Sequence, residues 1–216
     1  MSETSTLVTA AHFAYLAART AQEDDFLKRL KQAAVAAGIP PIWIAPEQAS
    51  FMQILLKLCR AREVVEVGTL AGYSAINMAR ALPPAGKVRT IELSAKHADF
   101  AEDWVRRSDV AGKIELYRGD ARQVLPGFAA DSADAAFLDA DKASYPAYLR
   151  ECLRIVRSGG LIVVDNAFAF GELFAKEPKD PETAAVLAFN EHMAKVKELH
   201  SIIVPLGDGC WVGVRE

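Results

Sequence analysis

The sequence predicts an α/β fold organised around a parallel sheet, and three observations carry that prediction. Short apolar runs at 64–67, 88–91, 114–117, 133–138 and 161–164 alternate with segments whose apolar residues recur at helical spacing, as in successive βαβ units. The first run breaks into a glycine-containing turn, and two later runs end in acidic residues. Parallel sheets bind ligands at the carboxyl ends of their strands, so all of these turns point to one edge.

The elements follow in order. Residues 7–20 and 24–37 show helical spacing, and the second stretch stops at Gly38 and the Pro40-Pro41 pair, which terminate helices. Pro46 and Glu47 open a third amphipathic stretch, with Phe51, Ile54, Leu55 and Leu58 apolar, that ends near Arg62. Strand 64–67 is then followed by helix 74–81, strand 88–91, helix 95–108, strand 114–117 and a short helix 121–125. Strand 133–138 leads into helix 145–156, and strand 161–164 into a loop carrying Pro178 and Pro181 before helix 182–199. The last segment breaks the alternation. Runs 201–204 and 210–214 are joined by Gly207-Asp208-Gly209, too short for a helix, which predicts a hairpin and one antiparallel strand.

With 216 residues, 51% hydrophobic and 25% charged, the chain can bury a substantial core as a single domain spanning 1–216, with 1–45 as a helical lead-in. A net charge of −3 provides no basic field for a phosphate backbone, which weighs against nucleic acid as a partner. Cys59, Cys152 and Cys210 lie far apart without a CxxC pair, against a zinc site or disulfide scaffold and in favour of a reducing compartment. No apolar run approaches the roughly 18 residues of a membrane span, and no leader pattern opens the chain. The expected location is cytoplasmic.

The turn after strand 64–67 runs from Gly68 to Gly72 and Ser74, where a helix begins with its amides facing the cleft. Its G-x-x-x-G spacing departs from the dinucleotide fingerprint. Leu70 stands where the second glycine would admit a pyrophosphate, which disfavours NAD. Glu92 ends the second strand, where a carboxylate can accept both ribose hydroxyls of an adenosine group. Asp120 and Ala121, after the third strand, are placed to border an adenine ring.

Strand 133–138 delivers Asp139-Ala140-Asp141-Lys142, and strand 161–164 delivers Asp165-Asn166. On neighbouring strands about 5 Å apart, Asp139, Asp165 and Asn166 offer three hard oxygen ligands, suited to Mg²⁺, Mn²⁺ or Ca²⁺ and poorly to zinc. Helix capping by these acids is the alternative. Lys142 follows Asp139 by three residues, and a divalent cation beside it would disfavour its ammonium and prepare it as a general base.

The motifs E-x-G-x-x-x-G-Y-S (Glu66 to Ser74), L-D-A-D-K-x-x-Y (Leu138 to Tyr145) and V-D-N (Val164 to Asn166) together resemble the cation-dependent class I O-methyltransferases. That group includes catechol and caffeoyl-CoA O-methyltransferases, and the resemblance runs from about Ile44 to the C-terminal hairpin. It implies S-adenosylmethionine as cofactor and a Rossmann-like seven-stranded sheet of order 3-2-1-4-5-7-6 with strand seven antiparallel. It also implies that Glu66, Gly68, Thr69 and Ser74 surround the methionine part of the cofactor, that Glu92 binds its ribose and that Ala121 neighbours its adenine. Asp141 matches a contact to the cofactor's amino group, Ile44 a lid-like contact, Asp139, Asp165 and Asn166 the metal ligands, and Lys142 the catalytic lysine.

The expected reaction is Mg²⁺-dependent methyl transfer to a hydroxyl of a catechol-type small molecule. Asp141 before the lysine matches the caffeoyl-CoA and bacterial branches, where animal catechol methyltransferases carry a tryptophan. Phe170 stands where the caffeoyl-CoA branch places a substrate asparagine, which implies an apolar wall. Trp43, Phe168, Phe170 and Trp211 are candidates for stacking on an aromatic ring or for ordinary packing, and His12, His97, His192 and His200 are read as structural or solvated. Two alternatives are O-methylation of a hydroxylated tRNA nucleoside and a non-catalytic dimer partner that keeps the fold. The N-terminal helices offer an interface for a homodimer.

Overall fold

The structure, a computed structural model, describes residues 7–20 and 23–216. Expectations that fall on residues 1–6 and 21–22 lie outside the described residues. Three lead-in helices, α1 (Ala10–Ala17), α2 (Asp25–Ala36) and α3 (Pro46–Leu58), precede β1 (Glu63–Val67). Then come α4 (Tyr73–Ala81), β2 (Lys87–Glu92), α5 (Ala95–Arg107), β3 (Ile114–Arg118), α6 (Ala121–Val124), β4 (Ala133–Leu138) and α7 (Tyr145–Ile155). The chain ends with β5 (Val156–Val164), α8 (Pro181–Met193), β6 (Leu199–Val204) and β7 (Cys210–Arg215).

The strands form a seven-stranded sheet of order β3-β2-β1-β4-β5-β7-β6, parallel except for β7, which is antiparallel to both neighbours. The expected fold and strand order are the observed ones. Helices cover both faces, so residues alternate between two cores along each strand rather than between core and solvent. Val64, Phe137, Leu161 and Val163 join the cluster under α2, α3 and α4, whereas Val65, Val67, Leu138, Ile162 and Val164 join the cluster under α7 and α8.

Register sets the functional edge. Val67 pairs with Ile91 on one side and Leu138 on the other, and Leu138 pairs with Val164. The ladder runs one step further: the amides of Gly68, Asp139 and Asp165 donate to the carbonyls of Ile91, Val67 and Leu138 at 3.0, 2.9 and 3.0 Å. Gly68 and the two aspartates therefore sit side by side.

Three elements differ from expectation. Helix α1 is confined to Ala10–Ala17, starting at Thr9, and buries no residue. Helix α8 ends at Met193 rather than continuing to 199, because Leu199 opens β6 opposite Arg215 and enters the core from a strand. Strand β5 begins at Val156, ahead of the glycine pair. While β4 advances from Ala133 to Ala135, β5 advances from Val156 to Leu161, and this bulge absorbs Gly159 and Gly160.

Gly68 is the backbone position that the alignment cannot spare. Its φ is +102°, and a Cβ there would collide with the carbonyl of Asp139. Gly68→Ala should cost on the order of 3 kcal/mol in urea unfolding, by clash and strain together. Gly127→Ala, where a Cβ meets nothing within 4 Å, should stay within about 0.5 kcal/mol; equal losses for the two would show that the close approach is not the cause.

Candidate active site

The turn between β1 and α4 opens a cleft of about 640 Å³ along the carboxyl edge of the sheet, a size usual for small-ligand sites. Gly72, at φ +84°, is the N-cap of α4 and starts the helix in a left-handed conformation. Leu70 adopts φ +48° without being glycine, and its N–H donates to Glu92 Oε2 at 2.8 Å. The other Glu92 oxygen accepts the Ser94 N–H at 2.8 Å. Two backbone donors thus fix this carboxylate at the cleft wall, with acceptor capacity left for a ligand.

Most of the expected cofactor residues meet here. Ile44, Gly68, Thr69, Ser74 and Glu92 line the cleft, as do Asp120, Ala121 and Asp141 further along. Asp141 caps the turn of 3₁₀ helix Lys142–Ser144 by accepting the Ser144 N–H, and Tyr148 donates its hydroxyl to the second Asp141 oxygen at 2.5 Å. Asp120 accepts from Arg122, which lowers its pKa.

Glu66 and Gly72 are not on the cleft wall. Glu66 is 0% exposed and lies beneath it, accepting from Ser74 Oγ and, at 2.5 Å, from Thr90 Oγ1. Thr90 is in turn 2.5 Å from the hydroxyl of Thr69. A buried acid thereby orients two cleft hydroxyls, those of Ser74 and Thr69. Burial outweighs these bonds and pushes its carboxyl up to about 7.

The acidic end is equally ordered. Lys142 is 6% exposed yet lines the cleft. Its Nζ donates to Asp139 Oδ1 at 3.0 Å and to the Tyr145 hydroxyl at 2.7 Å. Tyr145 is fully buried, with its pKa raised well above the ordinary phenol by burial first and by Asp139 and Asp165 next, so its hydroxyl keeps its proton. Asp165 lies deeper, off the cleft wall. Burial, with the Asp139 charge second, pushes its carboxyl well above the usual carboxylate range. Asn166, at φ +66°, lines the cleft and donates Nδ2 to Asp208 Oδ2 at 3.1 Å, which leaves its amide oxygen as a free acceptor.

Among the described residues no group of three His, Cys, Asp or Glu side chains is placed to hold a metal. The donor set here is instead two carboxylates and one amide oxygen. One acid is buried and resists ionisation, the other is paired with Lys142, and the oxygen donors are of the kind a hard divalent cation takes.

Several site residues were assigned no role from the sequence. His97, expected to be structural or solvated, lines the cleft with Nδ1 3.6 Å from Glu92 Oε1. His12, His192 and His200 are exposed. Tyr145 and Tyr148 lie one and two helical turns beyond Lys142, a spacing that could have indicated a shared face. Of the four aromatic candidates, Trp43 and Phe170 line the cleft, whereas Trp211 is buried with its indole N–H donated to Asn190. Phe168 packs on Gly209.

Fold and cleft together define a class: a Rossmann-like α/β enzyme with an adenosine-type cofactor turn beside an acidic acceptor end. The comparisons specify it. A family model described as O-methyltransferase matches residues 17–216. A protein named catechol O-methyltransferase from Niastella koreensis is 35% identical over 205 residues, covering 94% of this chain and 90% of that one. An O-methyltransferase from Bacillus cereus solved in complex with SAH superposes with a TM-score of 0.86 at 31% identity, covering 95% and 97% of the two chains. Another, from Streptomyces achromogenes, involved in tomaymycin synthesis and solved with SAM, gives 0.81 at 30% identity and 94% of each chain. The chain belongs to the O-methyltransferase family, and it is an enzyme of that activity.

The raised pKa of Glu66 makes a signed prediction. Its folded value of about 7 lies above the ordinary 4.5, so the stability it contributes is present below about pH 4.5 and lost as pH rises through 7. The shift corresponds to about 3 kcal/mol at 1.36 kcal/mol per unit. Chemical denaturation across pH 4.5–8 should show the parent losing stability relative to Glu66→Gln by an amount of that order. Parallel curves for the two proteins would refute the assignment.

Proposed function

We propose that this enzyme transfers a methyl group from S-adenosylmethionine to one hydroxyl of a catechol-type small molecule with the help of Mg²⁺ or a similar divalent cation. The carrying observation is the convergence of Lys142, Asp139 and Asn166 on the same cleft as the Gly68–Ser74 turn. Bound at that turn, S-adenosylmethionine supplies a methyl group activated by a sulfonium charge. Asp139, Asp165 and Asn166 would hold the cation, which would lower the pKa of an acceptor hydroxyl and orient its oxygen.

The chain's own groups do the remaining work. Glu92 accepts from the ribose hydroxyls, Asp120 and Ala121 border the adenine, and Thr69, Ser74 and Asp141 hold the methionine end. Lys142, once it has given up its own proton, would take that of the acceptor hydroxyl. Its two hydrogen bonds to Asp139 and Tyr145 restrict the amine to one position, and orientation supplies much of the acceleration of a displacement reaction. Ile42, Trp43 and Phe170 at the mouth exclude water, which favours a step in which opposite charges cancel. The apolar Phe170 and the chain's net charge of −3 support a small phenol over a nucleic acid.

Methyl transfer from S-adenosylmethionine to a panel of catechols, measured with and without EDTA, tests this reading. Turnover should vanish in EDTA and return with Mg²⁺. Lys142→Ala should lose about 10²–10⁴-fold in kcat while binding S-adenosylhomocysteine as the parent does. Undiminished turnover in EDTA would sink the metal assignment, and a fully active Lys142→Ala would sink the base.

A further inference from the structure

Gln48 has no role in the chemistry described above, yet its side chain is among the most constrained in the molecule. It is 5% exposed and sits in the first turn of α3, three residues after the N-cap Ala45. Its Oε1 accepts the Ala45 N–H at 3.0 Å. Its Nε2 donates to Asp165 Oδ1 at 2.8 Å and to Cys210 Sγ at 3.2 Å. A Cβ on Gly207 would collide with this amide, so the β6–β7 turn closes over it. The amide has one orientation, because an N–H group and a carboxylate require opposite partners.

We infer that Gln48 is a positioning residue that couples the cofactor end of the cleft to the cation end. One planar amide joins the backbone immediately after Trp43 and Ile44, which line the cleft, to Asp165, a ligand of the proposed cation. Movement of the 42–45 segment against a cofactor is transmitted to the Asp165 carboxylate, and a cation that fixes Asp165 fixes the segment in return. Coupling of this kind is reciprocal: each ligand must tighten the other by the same factor. The inference rests on the proposed use of a divalent cation and S-adenosylmethionine.

The test is binding rather than turnover, on the full chain, with Mn²⁺ followed by electron paramagnetic resonance and S-adenosylhomocysteine by calorimetry. In the parent, saturating Mn²⁺ should tighten S-adenosylhomocysteine by about fivefold or more. Gln48→Met keeps the length and removes both links. It should weaken Mn²⁺ by about 10-fold or more, the range for groups that orient a metal ligand, and abolish the coupling. Gln48→Leu removes the same links with another apolar side chain of similar size. In both variants S-adenosylhomocysteine affinity without Mn²⁺ should stay within about twofold of the parent while the coupling is abolished, a split that general destabilisation would not produce. Parent-like Mn²⁺ affinity, or coupling that persists, in either variant overturns the inference. A parent that binds no Mn²⁺ overturns the metal reading and this inference with it. A parent that binds both ligands without coupling overturns only this inference.

Discussion

The alignment of three strand ends governs the site. The amides of Gly68, Asp139 and Asp165 each donate to a carbonyl at the end of a neighbouring strand, Ile91, Val67 and Leu138 in turn, so the ladder places a glycine turn and two acids in a row with no loop to position them. Gly68 permits this because the Asp139 carbonyl occupies the space a side chain would need. The glycine turn and the two acids are thereby held at a separation set by strand spacing, about 5 Å per step. A site on rigid elements holds reacting groups more closely than one assembled from loops.

The same alignment creates an electrostatic problem. Glu66, Asp139 and Asp165 lie on adjacent strands, and the first and last are buried. The structure meets this differently at each position. Glu66 is given two hydroxyl donors and an environment that favours its neutral form. Asp139 has the Lys142 ammonium at 3.0 Å. Asp165 has the amide of Gln48, a thiol pushed up to about 12 and therefore uncharged, a backbone donor and the more distant charge of Lys142. Burial outweighs these partners at Asp165, whose carboxyl stays well above the usual carboxylate range.

Much of this was legible in the sequence, for physical reasons. A run such as 133–138 announces a buried strand, and acids directly after it must lie at the carboxyl edge. The order of the sheet came from resemblance, and the turn chemistry of Gly207-Asp208-Gly209 independently required a hairpin. Partners distant in sequence were not legible. Gln48 reads as an ordinary residue in a helix's first turn, and nothing local indicates that its amide meets Asp165, 117 residues away. His97 reads as a surface helical residue until β2 brings Glu92 beside it. The end of α8 was misjudged because Leu199 suits a helix face as well as a strand, and only its pairing with Arg215 decides.

The antiparallel hairpin explains how the loop after β5 holds its shape. Asn166, Ala169 and Phe170 all have positive φ, a conformation costing non-glycine residues about 1 kcal/mol or more each. The strain is offset from the β6–β7 turn. Asp208 accepts from Asn166 Nδ2 and, at 2.9 Å, from the Phe170 N–H. Its backbone carbonyl and that of Gly209 accept from Phe168 and Ala167. These bonds depend on the direction of β7. Because Val164 pairs with Trp211, the start of β7 lies beside the end of β5, and the turn before it reaches the carboxyl edge. A parallel seventh strand would begin at the opposite edge and leave that loop without its donors' partners. The reversed strand is therefore a requirement of this loop: it supplies the carboxylate that holds the Asn166 amide and the Phe170 backbone, both residues that line the cleft.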